Sequence, residues 1–180
     1  AYVGSTKRHL YYCVTVTPAK HFDVKNFEHG ILTSPEEVKW LTENHDALML
    51  EIAIADTGQG IPLTLWKNAK EKKCDFVIGW REGVKDVNMR SNAHQSLCNY
   101  AFHYASTRKG ENEFINAASR LNWRGLHRCL RQTEFLSGFI SLTSGQGRAG
   151  YVFVEGKLKP ILPTNYSHTD FPGTLVTLRF

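Results

Sequence analysis

The stretch LMLEIAIADTGQGIP, residues 48–62, decides the fold. Its first eight residues, 48–55, are almost all apolar, which is typical of a buried β-strand. The strand leads directly into a polar turn that begins at Asp56 and contains Gly58 and Gly60. Such turns are common positions for binding residues, because the rigid strand before them holds the loop in place. The sequence therefore predicts a strand over 48–55 with a binding site at its C-terminal end.

Outward from this segment, strand patterns alternate with helix patterns. Ser34 is followed by Pro35 and Glu37, which is a helix-start signal. Two-residue alternation predicts strands and i, i+3, i+4 spacing predicts helices. The predicted strands cover 10–16, 139–144, 151–154, 158–161 and 174–180, with a hairpin turn at 155–157, and the predicted helices cover 35–43, 93–106 and 125–136. We therefore expect an α/β (α+β) two-layer sandwich, with one mixed or antiparallel sheet and helices on one face.

Composition favours one domain. The 180 residues are 42% hydrophobic, which suits a single core over 1–180. No apolar run approaches the roughly 20 residues of a membrane helix. The four cysteines lie far apart without a C-x-x-C pair, which favours a reducing, cytoplasmic setting. The net charge of +5 is scattered, so it is compatible with a phosphate-bearing ligand and does not indicate nucleic acid.

Three glycine-bearing segments follow one another in a defined order: DTGQG at 56–60, RGL at 124–126 and PGT at 172–174. A predicted strand precedes the first, a helix follows the second and a strand follows the third. In this order they resemble the GHKL superfamily of gyrase, heat-shock chaperone, histidine kinase and MutL ATPases, whose ATP-binding domain has the Bergerat fold. The most specific element is D-x-G-x-G followed by Ile61 and Pro62. The resemblance covers residues 10–180 and implies a histidine kinase-like ATP-binding domain.

The resemblance assigns adenine to the first and third segments. Asp56 would accept a hydrogen bond from the exocyclic amine of adenine, which guanine does not offer at the same place. Gly58 and Gly60 would let the backbone lie against the base, because they lack a Cβ atom. Thr174 matches the family threonine that supports the aspartate and a nearby water. The alternative for residues 56–58 is an ordinary turn.

The second segment would bind phosphate. The backbone N–H groups at Gly125 and Leu126 open a helix, and the start of a helix favours anions. The family usually has G-x-G-L here, whereas this chain has Trp123 in place of the first glycine, so we expect weaker or differently shaped phosphate binding. Arg124 is either a phosphate ligand or a solvated residue at the helix start. Arg108 either moves onto the γ-phosphate or belongs to a polar run that ends a helix.

Residues 62–123 correspond to the ATP lid of the family, and the low regularity of 63–92 predicts a mobile insertion. The family's general base and Mg²⁺ ligand are a glutamate and an asparagine on a helix before the first strand. This chain has no such pattern, and residues 1–5 resemble the tail of that helix. The resemblance therefore implies ATP, with Mg²⁺ in the intact protein, and leaves the catalytic residues unidentified.

Three functions remain open at this point. The length of the lid favours an ATPase that closes a homodimer, and the second option is a kinase acting on other protein domains of a longer chain. The third is a non-catalytic nucleotide-sensing or protein-interaction module with the same fold. His94 and Cys98 are spaced as two metal ligands on one helix face, but two ligands do not make a zinc site.

Overall fold

The protein is built around one antiparallel sheet. The computed structural model describes residues 9–21, 34–71, 87–103, 125–161 and 170–180. The strands within these ranges are β1 (Leu10–Pro18), β2 (Leu48–Asp56), β3 (Phe139–Gly145), β4 (Gly147–Val154), β5 (Lys157–Pro160) and β6 (Phe171–Arg179). The helices are α1 (Pro35–Glu43), α2 (Gly60–Glu71), α3 (Val87–Tyr100) and α4 (Gly125–Phe135). The strand order is β1-β2-β6-β3-β4-β5, and every neighbouring pair is antiparallel. The predicted α+β class is therefore confirmed.

Local signals placed several element boundaries correctly. The Ser34 hydroxyl accepts a hydrogen bond from Glu37 N at 3.2 Å, so α1 begins where the capping pattern predicts. The turn between β4 and β5 consists of Glu155 and Gly156, both with positive φ. Two successive positive φ angles are the requirement of a type I′ hairpin. The predicted hairpin is thus confirmed, and Gly156 meets the conformational demand at its second position.

Helical structure extends into the segment that the sequence predicted to be irregular. Helix α2 begins inside the polar turn, and α3 begins at Val87, six residues before the predicted start at Ala93. The prediction that 63–92 is irregular was therefore wrong for the residues in these two helices. Residues 72–86 and the predicted helix end at 106 lie outside the described residues. Leu65 of α2 and Leu97 of α3 are buried in one core cluster. Short helices of weak periodicity depend on such tertiary packing more than on local pattern.

The two faces of the sheet carry separate core clusters. In β3, Ile140 and Leu142 belong to the cluster packed under α2, α3 and α4, whereas Phe139 belongs to the other cluster. Helix α1 covers this second cluster, because its Trp40 and Leu41 are buried against Phe139. Three of the described helices therefore lie on one face, as predicted. Helix α1 lies on the opposite face, so the prediction that the helices lie on one face is wrong for α1, whose Trp40 and Leu41 are buried in the second cluster.

A buried ion cluster ties α1 to the sheet. Glu37 is only 1% exposed and pairs with the Arg179 guanidinium at 3.1 Å, while Arg148 lies 3.6 Å away. Arg179 Nε also donates to Glu51 at 2.6 Å. Burial raises the pKa of Glu37, and the two arginines oppose that shift. The glutamate of the helix-start signal therefore points to the sheet and holds α1 against β4 and β6.

Replacing Glu37 with Ala is expected to lower the free energy of unfolding by about 3 kcal/mol, because the buried charges of Arg148 and Arg179 lose the carboxylate that lies between them. The matched control is Glu43→Ala in the same helix, whose half-exposed carboxylate pairs with Lys39 at 3.8 Å. That variant should change stability by less than about 0.5 kcal/mol. Urea unfolding of both variants measures the difference. Equal losses would contradict the importance assigned to the buried cluster.

Candidate functional site

Three polar side chains lie in one row across the sheet. Asp56 at the end of β2 pairs with Thr174 of β6, and Thr174 pairs on its other side with Ser144 of β3. Side chains alternate along a strand, so all three occupy the face that α2, α3 and α4 cover. The two residues that the resemblance assigned to adenine are therefore neighbours. Ser144 joins them, although sequence reasoning gave it no role.

The Asp56 carboxylate shapes the turn that follows it. Its Oδ1 accepts a hydrogen bond from Gly58 N at 2.7 Å, which makes a local side-chain turn. The next residue, Thr57, is tied to the start of β1 through a hydrogen bond from its backbone N to His9 O at 3.1 Å. Among the described residues the carboxylate has no second partner, and the side chain is half-buried. Its observed role is therefore to hold the turn after β2.

Ser144 is the junction of three segments. Its fully buried hydroxyl donates to Gly173 O at 2.5 Å, accepts from Ile61 N at 2.8 Å and lies 3.5 Å from Thr174 Oγ1. Ile61 N belongs to the first turn of α2, where backbone donors have no partner within the helix. Ser144 of β3 therefore caps α2 and fixes the start of this helix beside the start of β6.

Two glycines permit this close approach. Gly60 has φ of 76°, and a Cβ atom there would lie 2.7 Å from Ser144 Oγ and 2.9 Å from Gly173 O. Gly173 has φ of 107°, and a Cβ atom there would lie 1.9 Å from Asp56 O. A residue with a side chain is unfavourable at either position, because the backbone has a positive φ and a Cβ atom would clash with neighbouring atoms. The sequence interpretation gave Gly60 a contact with the base; the structure adds a packing reason for it.

The segment assigned to phosphate lies at the start of α4. Leu126 packs against the core cluster under the helices, whereas Gly125 is exposed, and no atom of the described residues lies within 4 Å of a Cβ added there. No hydrogen bond or ion pair among the described residues joins this helix start to Asp56. The structure thus brings together Asp56, Gly58, Gly60 and Thr174, with Gly125 and Leu126 on a separate helix over the same sheet face. Arg108 and Arg124 lie outside the described residues.

His94 and Cys98 hold α3 to the sheet. The His94 Nδ1 accepts a hydrogen bond from Gln146 N at 3.0 Å, and Cys98 Sγ donates to Ser144 O at 3.7 Å. Burial lowers the pKa of His94 to about 4 and raises the pKa of Cys98 to about 12, so both side chains are neutral near pH 7. Within the described part of the chain, no group of three His, Cys, Asp or Glu residues is arranged to hold a metal ion. Both side chains are buried in the structure.

No family model, no curated protein and no solved structure matches the chain. The resemblance to the GHKL superfamily therefore rests on the three motifs alone. Of the helices in the described ranges, none is long and apolar enough to cross a membrane.

Stability should fall as the pH decreases from about 6.5 to about 4, because unfolded His94 takes up a proton that the folded state refuses. Arg90 lowers the pKa of His94 further, and Asp170 opposes that effect. The variant His94→Asn can still accept the hydrogen bond from Gln146 N and does not titrate. It should lose less stability than the unaltered protein between pH about 6.5 and about 5 in urea unfolding.

The control is His45→Asn, at a side chain that is 61% exposed. It should follow the unaltered protein across the same pH range. Identical pH profiles for the His94 variant and the unaltered protein would show that this histidine does not set the acid sensitivity.

Proposed function

We propose that the chain is an ATP-binding domain of the GHKL type. The observation that carries the proposal is the row of Asp56, Thr174 and Ser144 beside the glycine turn of residues 58–60. It joins two motifs that are more than 100 residues apart in the sequence. An accidental match of short motifs would not require their polar side chains to meet on one face of the sheet.

Adenine recognition follows from the two oxygens of Asp56. Because Oδ1 is engaged by Gly58 N, the orientation of the carboxylate is restricted, and no hydrogen bond of the described residues uses its second oxygen. That oxygen would accept a hydrogen bond from the adenine amine, with the Thr174 hydroxyl beside it for a further polar contact. Guanine presents a carbonyl oxygen at the same position, and two acceptors repel each other. The same interaction would therefore supply both affinity and selectivity for ATP over GTP.

The phosphates would be bound at the start of α4. The open space at Gly125 leaves room for a phosphate near the backbone, and the N–H groups of Gly125 and Leu126 provide donors at the positive end of the helix. Arg108 and Arg124 are proposed to add positive charge there. When bound, Mg²⁺ neutralises phosphate charge during phosphoryl transfer. In a cytoplasmic, intact protein we propose hydrolysis to ADP and phosphate, or transfer to another protein domain.

Replacing Asp56 with Asn provides the sharpest test. The amide oxygen still accepts from Gly58 N, but an NH₂ donor replaces the second acceptor and faces the adenine amine. Affinity for ATP should fall about 10-fold to 100-fold, with the stability of the fold preserved. Calorimetric titration with ATP and GTP measures both affinities. The preference for ATP should shrink in parallel.

The companion variant Asp56→Ala removes both acceptors, so it should weaken ATP binding and also loosen the turn at Gly58. Unchanged ATP affinity in a folded Asp56→Asn variant would contradict the proposed site. Binding of ATP without hydrolysis or a phosphorylated product would favour the nucleotide sensor over the two enzymes.

We also propose that strand β1 contacts a second copy of the chain. It stands at the end of the strand order, so its outer edge pairs with no strand of the described residues. Large apolar side chains remain exposed along it, including Tyr12 at 80%, Val14 at 57% and Val16 at 65%. An exposed apolar edge strand is a template for pairing with another strand. The nine residues carry no charge, so two identical strands can pair antiparallel about a two-fold axis without like charges meeting.

A charge in the middle of β1 should abolish this dimer. Val14→Lys is expected to sediment as a monomer at concentrations where the unaltered protein is a dimer, because the ammonium would be buried beside an identical charge. The control is Leu136→Lys, which places the same charge at another exposed apolar residue. A monomeric unaltered protein, or a dimeric Val14→Lys variant, would rule out β1 as the contact.

A further inference from the structure

We infer that Ser144 is a positioning residue for the nucleotide site, an inference that rests on the proposed function. Its hydroxyl binds no ligand in this proposal. It joins the start of α2 to the start of β6 through hydrogen bonds to Ile61 N and Gly173 O. These two segments enclose the turn on which the Asp56 carboxylate is held.

The Ser144 hydroxyl makes one hydrogen bond as a donor and one as an acceptor. A hydroxyl has one hydrogen to donate, and here it goes to Gly173 O; the oxygen then accepts from Ile61 N. Ser144 is completely buried, so water cannot replace the hydroxyl without displacing neighbouring residues. Removing it leaves one donor and one acceptor without their partner. A buried unsatisfied polar group is costly, and the cheapest relief is movement of the α2 start away from β6.

Such a movement would affect the binding residues directly. The start of α2 at Gly60 is only two residues after Gly58, whose N–H holds the Asp56 carboxylate. Gly173 is the neighbour of Thr174 in β6. Ser144 therefore sets the separation between the Asp56 carboxylate and the Thr174 hydroxyl. A displacement of about an ångström is enough to spoil two hydrogen bonds to one rigid base.

The test compares Ser144→Ala with Ser141→Ala, which makes the same change on the same strand at a buried residue of the opposite face. Ser144→Ala should accelerate hydrogen exchange at the amides of Ile61 and Gly58 and lower ATP affinity about tenfold. Ser141→Ala should change neither. Ser144→Cys retains the shape with weaker hydrogen bonds, and it should show the same changes to a smaller degree if the alanine variant does not fold.

A double variant separates positioning from a general loss of stability. Since Ser144 is inferred to act through the turn that holds Asp56, its replacement should have little further effect on ATP affinity in the Asp56→Asn background. Additive losses of affinity in the double variant would overturn the inference. So would faster exchange at Ile61 with unchanged affinity for ATP.

Failure of the proposed function gives a different result. If the unaltered protein binds no ATP in the same titration, the nucleotide site itself is wrong. The hydrogen-exchange measurement then still tests whether Ser144 holds the turn after Asp56 in place. Faster exchange at both amides in Ser144→Ala supports control of the turn by Ser144, and unchanged exchange overturns it.

Discussion

The antiparallel register of β2, β6 and β3 is the constraint on which the proposed site depends. It places Asp56, Thr174 and Ser144 side by side, although they come from three distant parts of the chain. A shift of one residue in β6 would turn Thr174 to the opposite face of the sheet. The site is therefore a consequence of strand pairing, and no local motif could form it alone.

Close backbone approach is the second requirement, and the chain meets it with glycine and serine together. Gly173 lets the start of β6 pass beside the Asp56 carbonyl, and Gly60 lets α2 begin against Ser144. Close approach of polar backbone is unfavourable unless each buried group finds a partner. Ser144 supplies partners to both sides through one hydroxyl. This explains why a small polar residue lies near the end of β3, although the preceding residues on that face, Ile140 and Leu142, are apolar.

The sequence indicated much of this arrangement where the physical signal is local. The strand before Asp56, the helix start at Ser34 and the hairpin turn at Glu155–Gly156 all depend on neighbouring residues, and the structure agrees with their positions. The predicted burial of that strand was wrong for most of its length, because only Met49 is buried in β2, which has the exposed β1 as its neighbour. Helix α2 and Ser144 could not be found in this way. The helix depends on burial of Leu65 against distant strands, and the role of Ser144 depends on hydrogen bonds across 29 and 83 residues of sequence.

Apolar patterning alone does not determine the register, because a slip of two residues keeps every side chain on its own face. Polar contacts at the two ends of β6 remove that freedom. At one end Ser144 holds Gly173; at the other, Arg179 binds Glu37 and Glu51 and lies over the Phe139 ring at 5.0 Å. A two-residue slip would break both contacts and leave charged groups buried without partners. The ion cluster on the α1 face therefore helps to position Thr174 on the opposite face, beside Asp56.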